Sequence, residues 1–104
     1  MSNKSRRPEF DYEAEQDQEL HEPPRYQVLL FNDDYTSMDF VVDILKQVFN
    51  KTEDEAVAIM YAVHTSGMGQ CGVYTAELAE TKVETVHRLA RAKGFPLRSG
   101  LEEV

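Results

Sequence analysis

The stretch Tyr26-Gln-Val-Leu-Leu-Phe31 leads without a break into Asn32-Asp-Asp-Tyr-Thr-Ser-Met38. The first part is a continuous apolar run of strand length, which predicts a central β-strand. The second part combines Asn, Asp and Ser, which favour turns and helix N-termini. The sequence therefore predicts a buried strand that ends in a polar turn, directly before the first helix.

Capping boxes mark the starts of the first two predicted helices. Thr36 with Asp39 precedes a run of apolar residues at helical spacing, and Asp stands there in place of the usual Glu. Thr52 with Glu55 precedes a second run of the same kind, and Gly67 predicts its C-terminal end. Two consecutive helices are therefore expected after the first strand.

The remaining sequence predicts two strands on either side of a third helix. Residues 68–70 are expected to form a loop, and Cys71–Tyr74 is expected to form a short strand. The third helix runs from a cap at Thr75 to Gly94, and residues 97–104 predict the last strand. The order βααβαβ predicts an α+β domain, in which three helices pack on one face of a small antiparallel three-stranded sheet.

Charge and composition divide the 104-residue chain near residue 24. Residues 1–24 contain three basic and seven acidic residues, a net charge of −4, and few apolar side chains. Such a segment cannot bury enough apolar surface to offset its ordering entropy. We therefore predict a disordered acidic N-terminal arm over residues 1–24 and one folded domain over residues 25–104.

Several classes of function are disfavoured by composition. The formal net charge of −8 argues against nucleic acid as a partner, because phosphate binding needs a basic patch. No apolar run approaches membrane-spanning length, so we expect no membrane partner and no signal peptide. The single cysteine, Cys71, cannot form an internal disulfide, which favours a reducing, cytoplasmic location.

The polar turn and the second helix contribute acceptors that suit a protonated amine. An α-amino group has a pKa near about 8, so at neutral pH it is mostly charged and offers three donors. Asn32 has an amide oxygen, His64 a neutral imidazole nitrogen, and Asp33 or Asp34 a carboxylate. Asn32 can also donate its NH₂ group to a nearby peptide carbonyl. The alternative for the two Asp residues is that they serve the turn and the helix N-terminus.

Apolar residues beside these acceptors predict a pocket for a bulky side chain. Met60 lies four residues before His64, so both side chains are expected on one face of the second helix. Met38 stands at the start of the first helix, and methionine adapts well to aromatic guests. Met38, Met60 and Val63 are equally compatible with an ordinary core.

Catalytic and metal-binding alternatives have weaker support. His64 and Cys71 are two candidate ligands, whereas a zinc site needs three or four. Cys71 lies in an apolar strand without an evident oxyanion hole, so it is a poor candidate for a nucleophile. Asp33 and Asp34 are adjacent, and adjacent side chains of an extended chain point apart. We therefore predict no enzyme activity, no metal and no cofactor.

The motifs match a known family. Four stretches carry the likeness: Leu30–Val42, Met60–His64, Cys71–Val83 and Pro96-Leu97. From Pro23 to its end the chain resembles ClpS, the bacterial adaptor that delivers N-end-rule substrates to the ClpA–ClpP protease. The resemblance implies that the chain binds the free N-terminal residue Phe, Tyr, Trp or Leu of such substrates.

The resemblance also implies roles for particular residues. Asn32, Asp34 and His64 would bind the α-amino group, with Asp33 beside them. The side-chain pocket would be lined by Thr36, Met38, Val41, Met60, Val63 and Leu97, with Met38 at its mouth. Glu77 and Lys82 correspond to positions that contact the N-terminal domain of the ATPase. The N-terminal arm would engage the unfoldase during hand-off.

Two positions depart from the family pattern, and two alternatives stay open. Ser37 stands where Pro is common, and Phe31 stands where a smaller aliphatic residue is usual. The ATPase partner could be ClpC instead of ClpA. The alternative function is a protein–protein interaction domain that acts only through its helical surface. The set of Asn32, Asp34 and His64 favours the adaptor, because a surface-only module needs no cluster of amine acceptors.

Overall fold

The computed structural model describes residues 22–104, so residues 1–21 of the predicted arm lie outside the described residues. The elements are β1 (Arg25–Phe31), α1 (Met38–Gln47), α2 (Glu53–Ser66), β2 (Met68–Thr75), α3 (Ala76–Lys93) and β3 (Arg98–Glu103). This is the predicted α+β order βααβαβ. Within the described range, no helix is both long enough and apolar enough to span a bilayer.

Strand β1 lies at the centre of the sheet, as its apolar sequence predicted. The strand order is β2-β1-β3, and both neighbours run antiparallel to β1. Val28 and Leu30 are fully buried against the helices, and Leu29 on the other face is also buried. A bulge between Val28 and Leu29 shifts the register with β2 by one residue. Since β1 is paired on both edges, the turn that follows it leaves from a rigid part of the domain.

The three helices form one layer over the sheet. Helix α1 packs on α2, α2 packs on β2, and α3 contacts all three strands. The fully or almost fully buried side chains come from every element except β3: Val28, Leu30, Ile44, Leu45, Ala56, Cys71, Ala79 and Val86. Burial of such side chains stabilises the domain by roughly 1.5–3 kcal/mol for each large aliphatic group.

Strand β2 is longer than predicted, because residues 68–70 belong to it and do not form a loop. Met68, Gly69 and Gln70 pair with the last three residues of β1. A strand with two glycines and an exposed methionine shows no clear alternation of apolar and polar residues. The backbone pairing with β1 therefore extends the strand where the local sequence did not indicate one.

The N-cap of α1 is Ser37 and not the predicted Thr36. The Ser37 hydroxyl accepts a hydrogen bond from the backbone N–H of Phe40 at 3.1 Å. The Thr36 hydroxyl lies one residue before the cap and donates to the Asp33 carboxylate at 2.7 Å. The predicted pairing of Thr36 with Asp39 is therefore wrong.

The predicted caps of the later helices have different outcomes. The capping box of α2 is present, with Thr52 accepting from the backbone of Glu55 at 3.2 Å and Glu55 accepting from that of Thr52 at 2.9 Å. Gly67 ends α2 in the left-handed conformation, as predicted. Thr75 occupies the N-cap position of α3, but its side chain makes no capping hydrogen bond.

Candidate functional site

The turn after β1 is organised by the carboxylate of Asp33. One carboxylate oxygen accepts from the backbone N–H groups of Tyr35 and Thr36, at 2.8 and 2.7 Å. The other accepts from the Thr36 hydroxyl at 2.7 Å. Partial burial acts to raise the pKa of Asp33, but the hydrogen bonds from Thr36 and Tyr35 outweigh it and lower that pKa below its ordinary value. Asp33 is therefore ionised and holds the turn in shape.

A backbone hydrogen bond attaches this turn to the end of α2. The N–H of Asn32 donates to the carbonyl of Gly67 at 2.9 Å. Gly67 has φ of 93°, a conformation that costs a residue with a side chain about 1 kcal/mol or more. Its own N–H donates to the carbonyl of Val63 at 3.0 Å. The polar turn and the last turn of α2, which carries His64, are thus held side by side.

A cavity of about 220 Å³ lies between the turn, the start of α1 and the end of α2. Its lining residues are Asn32, Asp33, Asp34, Thr36, Met38, Val41, Met60, Val63 and His64. These are nine of the ten residues predicted for the amine site and the side-chain pocket. The tenth, Leu97, is buried just before β3 and lines a different cleft, against α3.

Polar and apolar residues occupy different levels of this cavity. Asn32, Asp34 and His64 are exposed at its rim. The floor is apolar and made of buried side chains, with Val41 and Met60 each 7% exposed and Val63 3% exposed. A ligand that fits both levels needs a polar head and an apolar body.

The acceptors at the rim differ in how far they are already used. Both carboxylate oxygens of Asp33 are hydrogen-bonded within the turn. Within residues 22–104, no protein hydrogen bond involves the side chains of Asn32, Asp34 or His64. Those three groups can therefore accept from a ligand without losing a partner among the described residues. Asp33 contributes negative charge and holds the shape of the turn, with three of its roughly four acceptor positions already used.

The volume of the cavity suits a single large side chain. A cavity of about 150 Å³ is sufficient to hold a benzene molecule. The space available here therefore accommodates an aromatic ring together with the carbon that joins it to a backbone. Met38 is 43% exposed and also lines this cavity with a flexible side chain.

A wider cleft of about 430 Å³ lies between α1 and α3, away from the turn. The rings of Phe40 and Phe95 pack along it in a tilted arrangement with centroids 4.9 Å apart. Lys93 lines it together with Asp39 and Asp43, so charges of both signs border this cleft. The smaller cavity is the better candidate for a cationic head, because Asn32, Asp34 and His64 stand together at its rim.

The two residues predicted to contact an ATPase have different environments on α3. Glu77 is exposed in the first turn of the helix. The Nζ of Lys82 instead donates to the carbonyl of Val48 at 2.6 Å, at the C-terminal end of α1. It also lies 5.9 Å from the ring centre of Phe49 and 5.5 Å from that of Tyr74. Lys82 therefore joins α3 to α1, a role that no sequence pattern indicated.

Cys71, one of the two candidate metal ligands, lies in the core of the domain. Cys71 is fully buried, and burial raises the pKa of its thiol to about 12, so the reactive thiolate is scarce at neutral pH. No group of three or more His, Cys, Asp or Glu side chains in residues 22–104 is arranged to hold a metal ion.

The fold and the cavity together define a small α+β binding domain. The family model described as ATP-dependent Clp protease adaptor protein ClpS matches residues 21–100. The chain belongs to the ClpS family, whose members are adaptors of the Clp protease and not enzymes.

Named relatives share most or all of the chain. The ATP-dependent Clp protease adapter protein ClpS of Oleidesulfovibrio alaskensis is 55% identical over 104 residues, which is 100% of both chains. That of Nitratidesulfovibrio vulgaris is 63% identical over 86 residues, covering 83% of this chain and 86% of the relative. A solved structure of Agrobacterium tumefaciens ClpS2 bound to L-phenylalaninamide matches with a TM-score of 0.78 and 37% identity. The match covers 80% of this chain and 100% of the other.

Proposed function

We propose that this adaptor binds the free N-terminal residue of N-end-rule substrates and delivers them to ClpA–ClpP. The observation that carries the proposal is one cavity with unused acceptors at its rim and a buried apolar floor. N-terminal Phe, Tyr, Trp and Leu combine a cationic amine with a large apolar side chain, so the amine complements the polar rim and the side chain complements the apolar floor. L-phenylalaninamide, the ligand of the similar Agrobacterium protein, has the same two features.

The amine end of the substrate would be held by three acceptors. The carboxylate of Asp34, the amide oxygen of Asn32 and a neutral His64 nitrogen can each accept one of the three ammonium hydrogens. The ionised Asp33 adds a second negative charge to the rim, which favours a cation over a neutral group. Because these groups are exposed, each bond contributes modestly, and together they select a free amine.

The apolar end would enter the cavity past Met38. Val41, Met60 and Val63 are already buried, so an incoming ring displaces water without a rearrangement of the floor. Full burial of a Leu or Phe side chain is worth roughly 1.5–3 kcal/mol. Thr36 is held by Asp33 and is expected to form part of the wall, and Leu97 would support the pocket from the core.

Delivery would require a second surface on α3. We propose that Glu77 and Lys82 contact the N-terminal domain of ClpA, or of ClpC in its place. Glu77 is the freer of the two, because Lys82 is bonded to Val48. The alternative function is an interaction domain without an amine pocket. Such a domain would use this surface alone, and the cavity beside Asp34 would bind no ligand.

The decisive experiment is titration with a short peptide that bears N-terminal Phe, beside its acetylated twin. Acetylation removes the charge and two of the three donors. Charge-assisted hydrogen bonds are worth roughly 1.5–3 kcal/mol each, so the acetylated peptide should bind at least about tenfold more weakly. Asp34→Ala should reduce this difference while the domain stays folded, because one of the three acceptors is lost. Equal binding of both peptides to the natural chain would refute the amine pocket.

A further inference from the structure

A basic groove runs along α3 toward the edge strand β3. It consists of two adjoining clefts of about 520 and 250 Å³, which share the side chains of His87 and Arg91. Arg88 lines the first cleft and Arg98 lines the second. Among the described residues that line the groove, three arginines stand against one acid, Glu84, so its formal charge is +2 with His87 neutral. The groove is therefore positive on a chain whose net charge is −8.

The arginines of this groove have no anionic partner within residues 22–104. Arg88, Arg91 and Arg98 are exposed, and their guanidinium groups form no ion pair or side-chain hydrogen bond in that range. The Nε2 of His87 instead accepts a hydrogen bond from the backbone N–H of Ser99 at 3.0 Å, which fixes α3 beside β3. The two clefts are thus held in line, and the three cations of the groove can all bind an anionic partner.

The N-terminal arm carries the complementary charge in a regular pattern. Every odd-numbered position from Glu9 to Glu19 is acidic, and every even-numbered position between them is uncharged. Residues 9–22 contain seven acids and no Lys or Arg. Alternate residues of an extended chain point to the same side, so this segment, when extended, presents its carboxylates in one row. General solubility requires negative charge but not this alternation.

The point of attachment allows the arm to reach the groove. The carbonyl of Arg25, the first residue of β1, accepts from the N–H of Val104 at 3.0 Å, just beyond β3. Arg25 also pairs with Thr75, the residue before α3. The chain therefore enters the domain beside the end of β3 and the start of α3. Along the helix the groove extends roughly 15 Å from Thr81 to Arg91, and an extended segment over residues 9–19 spans roughly 33 Å.

We propose that residues 9–19 of the arm dock along this groove as an extended segment, with their alternating carboxylates facing the arginines. The inference does not depend on the amine pocket, because the groove shares no lining residue with that cavity. Exposed ion pairs are individually weak, but a tethered segment has an effective concentration of about millimolar, so several pairs together populate the contact. The arm is then open to another protein only while this contact is released.

The test uses the full chain, isotopically labelled for NMR, with a nitroxide attached through Gln16→Cys. Cys71 is fully buried, so the nitroxide reacts at the introduced thiol. In about 0.05 M salt, where charges are weakly screened, the nitroxide should broaden the amide signals around Arg88, Arg91 and Arg98. Raising the salt to about 1 M, where the Debye length is about 3 Å, should remove this broadening. Arg88→Glu/Arg91→Glu should remove it at low salt.

Lys46→Glu/Lys51→Glu is the matched control, because it makes the same charge change at two residues outside the groove. This variant should keep the broadening. Equal loss in both double variants would overturn the proposal, since overall charge would then explain the contact. Absence of broadening at low salt, or broadening that survives in about 1 M salt, would also overturn it.

A rearranged arm tests the alternation itself. Exchanging Glu13 with Ala14 and Asp17 with Gln18 keeps the composition and the net charge but breaks the row of carboxylates. The broadening should weaken in this variant, and unchanged broadening would overturn the proposed extended docking. Mixing nitroxide-labelled chains with isotopically labelled chains separates contacts within one molecule from contacts between two. Broadening of equal size in that mixture would assign the groove to the arm of a second copy and overturn docking within one chain.

Discussion

Gly69 and Val63 pack so closely that a Cβ on Gly69 would stand 2.8 Å from Cγ2 of Val63. Gly69 is a buried residue of β2, and Val63 forms part of the cavity floor from α2. Valine on a helix is stiff at χ1, so it cannot rotate freely out of the way. The space open to Val63 is the cavity itself, which means that a glycine of the sheet sets the depth of the pocket.

Gly69→Ala should therefore reduce binding of N-terminal Phe and Trp more than binding of Leu. Overpacking typically costs about 1–3 kcal/mol, so the loss for Phe should approach about tenfold. The double variant Gly69→Ala/Val63→Ala removes the colliding methyl group and should restore the affinity ratio of Phe to Leu. Gly72→Ala is the control, since its added methyl group meets the Tyr74 ring instead. Failure of the double variant to restore the ratio would assign the effect to general instability.

Met38→Ala should relax the selectivity of the pocket. Val and Ile branch at Cβ and are stiff at χ1, so an opening narrowed by Met38 penalises them more than Leu or Phe. Truncation should improve binding of N-terminal Ile or Val relative to Leu by up to about tenfold, the discrimination typical of one or a few methylene groups. Peptide titration with all four residues measures this, and an unchanged order would mean that Met38 is not at the opening.

The Asp33 carboxylate should make stability depend on pH in the acidic range. Its pKa is lowered in the folded state, so its contribution is complete above the ordinary value near 3.8 and is lost as pH falls through the folded pKa. Asp33→Ala should destabilise the domain at pH 7 by about 1 kcal/mol, as the loss of a side-chain cap does. Urea unfolding of both proteins between pH 7 and pH 3 tests this. The difference between them should shrink below about pH 4, and a constant difference would contradict the assignment.

Charge reversal should separate the two residues proposed for ATPase docking. Lys82→Glu removes the bond to Val48 and the contacts with two aromatic rings, so it should cost about 1–3 kcal/mol of stability. Glu77→Lys changes an exposed side chain and should alter stability by less than about 0.5 kcal/mol. Both should weaken binding to the ATPase N-terminal domain and leave peptide affinity unchanged. If Glu77→Lys binds the ATPase normally, the proposed docking surface is wrong.

Removal of residues 1–20 should leave peptide binding intact and abolish delivery. Among the described residues, the cavity lining and its anchoring hydrogen bonds all fall within residues 32–67, and the peptide site is proposed to rest on these. The resemblance to ClpS implies that the arm engages the unfoldase. Peptide affinity and the degradation of a protein with N-terminal Phe should be compared for the two chains. Normal degradation by the shortened chain would limit the arm to a passive role.

The fold could be predicted where local signals and tertiary contacts agree. The run from Val28 to Leu30 is apolar at every position, and all three side chains are buried, which is the pattern that predicts a central strand. The Thr52 capping box and Gly67 likewise act within their own helix. Met68 and Gly69 were missed as strand residues, because their pairing with β1 is a long-range contact that their own sequence does not signal.

The candidate site could be predicted as a set of residues but not as a division of roles. The sequence Asn32–Asp34 does not indicate which of the two carboxylates is hydrogen-bonded within the turn, because that depends on where the donors of Tyr35 and Thr36 lie. Lys82 is separated by 34 residues from Val48, so helical spacing could not indicate their hydrogen bond. Most of the cavity residues follow from the sequence pattern, whereas Thr36 and Val41 follow only from the family resemblance. The division into a polar rim and an apolar floor depends on the burial of each side chain, which the pattern does not give.

The hydrogen bond from Asn32 to Gly67 links ligand binding to an equilibrium between molecules whose amine site is intact and molecules whose amine site is not. When the last turn of α2 frays, the anchor of the polar turn is lost with it, so the acceptors on both sides separate together. At any moment a molecule is then either able to bind or not. The apparent dissociation constant is the intrinsic one divided by the competent fraction. Weakening this hydrogen bond therefore lowers the affinity for every ligand by the same factor and leaves the order of affinities unchanged. Substitutions in the cavity floor or at its opening change that order instead.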